Sequence, residues 1–232
     1  MDLERFNRHI ILPEIGTSGQ KKLNNAKVLV VGAGGLGSPV LSYLTASGIG
    51  NIGIVDDDVV SLSNLQRQIL YKTSDINQIK AYKAKERMLE NNPDIKVDIY
   101  NTRFTSENAF EIAKNYDIIV DCTDNYDSRY IIDLTSKELN IPMVYGSISK
   151  FSGQVSVFNY KNGKSYKDLF EEKPEMDEND ASRLGVLGVL PGMIGAIQAN
   201  EVIKIILEIP GVLSNTLFLL NTKTMETKQI QF

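Results

Sequence analysis

The chain has 232 residues, 42% hydrophobic and 23% charged, with a net charge of −4. That length can bury a sizeable core, the composition is ordinary for a globular protein, and the acidic balance leaves no nucleic-acid footprint. Cys122 is the only cysteine, which rules out an internal disulfide and any site of clustered thiolates. The N-terminal residues are charged rather than apolar, and the longest apolar run, 184–197, is short for a bilayer and contains Gly and Pro. The expectation is a cytoplasmic, enzyme-like protein with neither membrane nor nucleic acid as partner.

In chain order, 3–11 reads as a short amphipathic helix stopped by Pro13, 16–19 as a turn, and 20–25 as a second short helix. Lys27 to Val31 is a strand rich in β-branched residues. Gly32-Ala-Gly-Gly-Leu-Gly37 follows at once, then an apolar helix to Ser47 and a second strand, Asn51 to Val55, tipped by Asp56. This is the context in which G-x-G-x-x-G carries meaning. Gly32 permits the tight turn, Gly34 lets backbone amides approach a phosphate, and Gly37 lets the helix lie close to the strand. The helix start favours an anion, and Asp56 is placed to accept hydrogen bonds from ribose hydroxyls. These features alone point to NAD or FAD. The next stretch, Ser61-Leu-Ser-Asn-Leu-Gln-Arg-Gln68, shifts the reading. Amides and Arg67 follow the acid-tipped strand, with Lys80 beyond, and cations converging on a phosphate turn suit a triphosphate.

Lys80 falls in the first turn of a helix over 79–91, where a cation opposes the helix dipole unless it faces an anion. An edge strand (96–100) and a helix (107–115) capped by Ser106 follow. Asp117 to Asp121 is the next buried strand, leading through Cys122-Thr-Asp-Asn125 into a helix ending at Asn140. Asp124 and Asn125 thus lie beyond a strand's carboxyl end. There they suit a magnesium ligand beside phosphates or a helix N-cap. Cys122, with no adjacent base, is not expected to be a nucleophile, and His9 lacks a partner acid. Strands at 142–146 and 153–158 complete the alternation. The expected fold class is α/β, Rossmann-like: a mostly parallel sheet with helices on both faces and a C-terminal antiparallel extension. Residues 159–180 read as a mobile acidic loop over a groove, 185–195 as glycine-rich segment entering a helix over 193–207, and 216–231 as a hairpin. The organisation is one domain over 1–232: N-terminal helices (1–26), nucleotide-binding core (27–158), crossover loop (159–180) and C-terminal helix and strands (181–232).

Taken together, Arg5-Phe-Asn-Arg-His-Ile-Ile11, the glycine turn, Asp56 with Asp58, the 61–68 string, Lys80, 121–125 and Gly185-Val-Leu-Gly-Val-Leu-Pro-Gly192 are specific. Over nearly its whole length the sequence resembles the ThiF/MoeB/HesA family, bacterial relatives of ubiquitin-activating enzymes. The resemblance implies ATP and Mg²⁺, adenylation of the C-terminal glycine of a ubiquitin-like sulfur-carrier protein ending in Gly-Gly, and release of pyrophosphate, in thiamin or molybdopterin synthesis. It implies that Gly32, Gly34 and Gly35 contact ATP, with Asp56 on the ribose. Asn64, Arg67 and Lys80 would bind the phosphates, Asp124 magnesium, and Asp58, Ser63, Gln68 and Asn125 would complete the nucleotide set. Arg8 would reach the γ-phosphate of the other subunit of a homodimer, so Arg8, Arg67, Lys80 and Asp124 are the catalytic candidates.

Two departures stand out. The family's zinc-binding Cys-x-x-Cys pair would fall at Ser165 and Asp168, and the C-terminal region has no cysteine, so no thiolate zinc site is expected. Substitutions at Ser165 or Asp168 should then matter little. Ala181 stands where many relatives carry a sulfur-transfer cysteine, which implies adenylation without covalent carriage. Rival readings are a peptide-activating enzyme of natural-product maturation, for whose extra N-terminal domain 232 residues leave no room, a catalytically idle scaffold, and a nicotinamide oxidoreductase.

Overall fold

A computed structural model describes residues 3–172 and 185–232; the expected mobility of 173–180 and the role of Ala181 lie outside the described residues. The strands are β1 (Lys27–Val31), β2 (Asn51–Val55), β3 (Lys96–Tyr100), β4 (Ile118–Asp121), β5 (Met143–Ser149), β6 (Ser152–Phe158), β7 (Thr216–Asn221) and β8 (Glu226–Gln231). They form one sheet in the order β3-β2-β1-β4-β5-β6-β7-β8. Strands β1 to β5 pair in parallel, and β6, β7 and β8 continue antiparallel. β6 therefore turns back on β5 as a hairpin, so the antiparallel extension begins one strand earlier than the terminal hairpin read from sequence. The cause is a tight turn through Lys150, at φ 54°, where a crossover helix would be needed to keep the pair parallel.

Helices cover both faces. Val28 and Val30 of β1 face α2 (Gly16–Asn25), α3 (Gly37–Ala46), α4 (Lys80–Asn91) and α8 (Val189–Leu207). Leu29 and Val31 face α5 (Ala109–Ala113), α6 (Tyr126–Leu139) and α7 (Tyr166–Leu169). Burial on both sides explains why β1 is continuously apolar instead of alternating. α8 is long and apolar enough to cross a membrane, but here it lies against α3, β5 and β6 with Leu190, Ile194, Ala199 and Val202 buried.

Several boundaries differ from expectation. The first helix, α1, is only Asn7–Ile10, because Phe6 takes a non-helical conformation and is buried against Gly48. α2 includes 16–19, since Gly19 lets the helix approach Leu207 closely: a Cβ there would lie 3.1 Å from its side chain. α5 is preceded by Asn108, whose Oδ1 accepts the Thr105 N–H at 2.9 Å, so Ser106 is not its cap. α8 begins at Val189 rather than Met193, with Pro191 in the first turn where no amide donor is needed.

The acidic stretch is not all loop. Ser165 caps α7 through a reciprocal box, with the Ser165 N–H donating to Asp168 Oδ2 at 2.7 Å and the Asp168 N–H to Ser165 Oγ at 3.3 Å. The next amides, Tyr166 and Lys167, donate to Asp133 on α6 at 2.9 and 3.2 Å. The expectation that Ser165 and Asp168 are dispensable is therefore corrected: they fold the segment back onto the core. The Ser165 backbone amide, then its hydroxyl, hold the Asp168 carboxyl below its ordinary value of 3.8. A depressed carboxyl stabilises the native state above its unfolded pKa and loses that effect as pH falls through the native one. We expect Ser165→Ala to cost about 1 kcal/mol in chemical denaturation at pH 7. The gap between wild type and Asp168→Asn should close as pH drops below 3.8; a constant gap would count against the box.

Candidate active site

The strand order reverses between β1 and β4, each of which leads away to its own half of the sheet. In such sheets the crevice at the carboxyl ends of those two strands is the ligand site. The glycine turn leaves β1 and the Asp124 turn leaves β4, so both arrive there. Gly32 takes φ 95°, and a Cβ on it would lie 2.6 Å from the Cys122 carbonyl oxygen. A Cβ on Gly37 would lie 2.1 Å from the Gly32 carbonyl oxygen, so only glycine closes this turn. No side chain caps α3, which leaves its leading amides open to an anion.

Asp56 holds the turn. Its Oδ2 accepts the Ala33 N–H at 2.7 Å and its Oδ1 the Asp58 N–H at 2.9 Å. Burial pushes its carboxyl upward against those two donors and Lys80. Tyr71 grips the same residue from the other side, its buried hydroxyl donating to the Ala33 carbonyl at 2.7 Å. Burial, with Asp56, Asp58 and Asp75 nearby, drives the Tyr71 phenol far up, so it remains a donor. Sequence reasoning missed Tyr71, which lies in no motif and directly follows the apolar Ile69 and Leu70.

The 61–68 string wraps beside this turn as a short 3-10 helix over 62–64. Asn64 accepts the Ser61 N–H at 3.2 Å through Oδ1, and the Ser63 carbonyl accepts from Arg67 Nη1 at 3.1 Å. Arg67 borders the glycine turn: its Cδ lies 3.6 Å from where a Gly35 Cβ would stand, and Pro191 of α8 3.3 Å from it. Gln68 is buried beside Gly34, its Nε2 3.4 Å from a Cβ there, and its Oε1 has no partner among the described residues. Gly188 is needed for contact, since a Cβ would meet the Gln66 carbonyl at 2.4 Å.

Lys80 opens α4 and is buried, with Nζ donating to Asp58 Oδ2 at 2.8 Å while Asp58 stays exposed. The anion that offsets its position against the helix dipole is thus supplied by the chain itself. Asp75 fixes the approach: it accepts the Lys72 N–H at 2.8 Å and pairs with Lys83 and Arg87 of α4. Asp124 is exposed, and among the described residues nothing occupies its carboxylate. Asn125 is the N-cap of α6, accepting the Ser128 N–H at 2.9 Å. Cys122 is buried, which pushes its thiol up and keeps it unreactive.

Arg8 is not brought to this crevice. It is exposed on α1, whose neighbour Phe6 packs on Gly48 and whose neighbour Arg5 donates to the Asn91 carbonyl at 2.8 Å. Gly48 and Asn91 are the far ends of α3 and α4, and α3 alone spans about 15 Å. His9 lies there too, against Gln20 at 3.1 Å.

The ThiF family matches residues 6–232. The chain belongs to the ThiF family. A probable molybdopterin-synthase adenylyltransferase of Porphyra purpurea is 52% identical over 229 residues, 98% of this chain and 60% of that protein. A sulfur carrier protein adenylyltransferase of Thermus thermophilus is 43% identical over 224 residues, 94% of this chain and 83% of that protein. The chain thus spans 60% of the length of the Porphyra relative. In fold, E. coli MccB solved with ATP superposes at a TM-score of 0.86 with 22% identity, over 98% of this chain and 71% of that one. PaaA superposes at 0.85 with 21% identity, over 99% and 82%. The doubly covered sheet with its antiparallel extension is the ThiF-family architecture here.

Tyr71 constrains the turn by holding the Ala33 carbonyl. On the ATP-binding reading proposed below, Tyr71→Phe stays folded and weakens ATP binding by about 0.5–1.5 kcal/mol in calorimetry. Unchanged affinity would show that Asp56 alone holds Ala33.

Proposed function

We propose that this chain uses ATP and Mg²⁺ to adenylate the C-terminal glycine carboxylate of a ubiquitin-like sulfur-carrier protein ending in Gly-Gly. Pyrophosphate is released, and the product serves molybdopterin or thiamin synthesis in the cytoplasm. The observation that carries this reading is that buried Lys80, half-buried Arg67 and exposed Asp124 come from the segments that flank the glycine turn, Arg67 against Gly35 and Asp124 next to Thr123 at Gly32. Cations and a free carboxylate there suit a triphosphate with its metal ion better than a nicotinamide. The names of the Porphyra and Thermus relatives support the same class of reaction.

In the reaction, a carboxylate oxygen of the carrier forms a bond to the α-phosphorus, and the bond from that phosphorus to the bridging oxygen breaks. Both partners are anions, so the work is positioning and charge neutralisation. The turn amides and Asp56 seat the nucleotide, Lys80 exchanges Asp58 for phosphate oxygens, and Arg67 closes from the turn after the 3-10 helix. Magnesium accepts one or two carboxylates and shares phosphate oxygens, so Asp124 fits it, and the bound ion would shield the leaving pyrophosphate. No protein nucleophile is needed, in keeping with the buried Cys122. We read the unit as zinc-free on chemical grounds, with one cysteine in the sequence and a capping box at 165 and 168. The remoteness of Arg8 from its own crevice supports a homodimer in which Arg8 serves the other copy.

ATP–pyrophosphate exchange tests the reading. We expect exchange that requires a carrier with a free Gly-Gly terminus; ATP binding without exchange for any such carrier would favour an idle scaffold. Arg8→Ala and Arg67→Ala should each be inactive alone and partly active when mixed, because a hybrid dimer rebuilds one intact site. Absence of rescue in chains that do mix would overturn the shared arrangement.

A further inference from the structure

We propose that Asp121 and Arg129 form a buried positioning pair that aims the Asp124 carboxylate at its divalent cation. The proposal rests on the assignment of Asp124 to magnesium above and adds two residues to which the sequence reading gave no role: Asp121, which opens the 121–125 motif, and Arg129 of α6. Asp121 ends β4 and has no exposed surface, and Arg129, in α6, is 6% exposed. Both grip Thr123, the residue before Asp124. Asp121 Oδ1 accepts the Thr123 N–H at 2.9 Å and its hydroxyl at 2.6 Å. Arg129 Nη2 reaches the Thr123 carbonyl at 3.4 Å and Ser147 Oγ of β5 at 3.3 Å. On the other side Asn125 is pinned as the α6 cap. The backbone around Asp124 is therefore fixed in front and behind, while its carboxylate stays uncommitted among the described residues.

The pair is also incomplete. Arg129 Nε and Asp121 Oδ2 lie 3.8 Å apart, close enough to neutralise each other and too far for a hydrogen bond. Among the described residues neither atom has another hydrogen-bond partner. The guanidinium lies over Tyr126 and Tyr145, with centroid distances of 5.2 and 5.6 Å, which holds its plane. Buried ion pairs add little net stability compared with apolar packing. One placed immediately behind a single-carboxylate metal site has the location expected of outer residues that orient a ligand. Arg129 also neutralises Asp121, so that the negative charge the turn presents to the crevice is that of Asp124.

The test compares Arg129→Lys, Asp121→Asn and the milder Ser147→Ala with wild type. Mn²⁺ binding in the presence of a non-hydrolysable ATP analogue is followed by electron paramagnetic resonance, and metal-free binding of the analogue by calorimetry. We expect Arg129→Lys and Asp121→Asn to weaken Mn²⁺ binding roughly tenfold and Ser147→Ala less, with metal-free analogue affinity nearly unchanged. Equal loss of metal-free binding, or wild-type Mn²⁺ affinity in the folded variants, would overturn the pair's role. So would a wild-type chain that adds nothing to the affinity of the analogue for Mn²⁺. Should Arg129→Lys fail to fold by thermal melting, Ser147→Ala carries the test. A wild-type chain that binds Mn²⁺ with the analogue but never exchanges pyrophosphate would defeat the adenylation reading and leave the pair standing.

Discussion

The structure depends on the near-contact between Gly32 and Gly37. Their backbones approach so closely that a methyl group on Gly37 would sit 2.1 Å from the Gly32 carbonyl oxygen. That closure lets α3 start directly over the end of β1 and leaves its leading amides facing the crevice. It also brings the turn against the Cys122 carbonyl just past β4, so that the two strands flanking the switch point share one surface. Asp56 and Tyr71 then clasp Ala33 by its N–H and its C=O.

Charge is distributed in layers around that turn. Lys80 and Arg67 come from the segments after β2, and Asp124 from the segment after β4, so positive and negative groups enter from opposite sides of the crevice. Behind each stands a buried or half-buried partner: Asp75 behind the helix of Lys80, Asp121 with Arg129 behind Asp124. α8 ties the second side to the core through Gln198, whose Nε2 donates to the Asp121 carbonyl at 2.7 Å and contacts the Val144 carbonyl at 3.3 Å. A Cβ at Gly146 would collide with that amide. The site is thus supported by rigid elements, which suits chemistry that relies on positioning.

The segment after β6 is anchored to the core by hydrogen bonds and packing. Where the family resemblance places a metal-binding pair of cysteines, Ser165 and Asp168 form a reciprocal cap, and Asp133 of α6 receives the next amides. Tyr130, Tyr145, Phe158 and Phe170 surround Tyr166 just inside it. Hydrogen bonds and aromatic packing supply the local order of this segment.

By itself the sequence determined the glycine turn, β1, β2, the acid at position 56 and the α/β class. Those features follow from local backbone sterics and from runs of β-branched residues, and both are read within a few positions. It also placed Asp124 at a strand end, and left open whether Asn125 would cap a helix, which it does. Only the tertiary structure decided that β6 reverses, that Gly19 belongs to a helix, and that Ser165 and Asp168 have a structural task. It alone showed Lys80 buried against Asp58, Tyr71 on Ala33, Arg129 beside Asp121, and Arg8 exposed on a helix that packs at the far ends of α3 and α4. Each of those depends on which distant segments the sheet order brings together, and a hydrogen bond or ion pair between residues far apart in the chain leaves no periodic trace in either one.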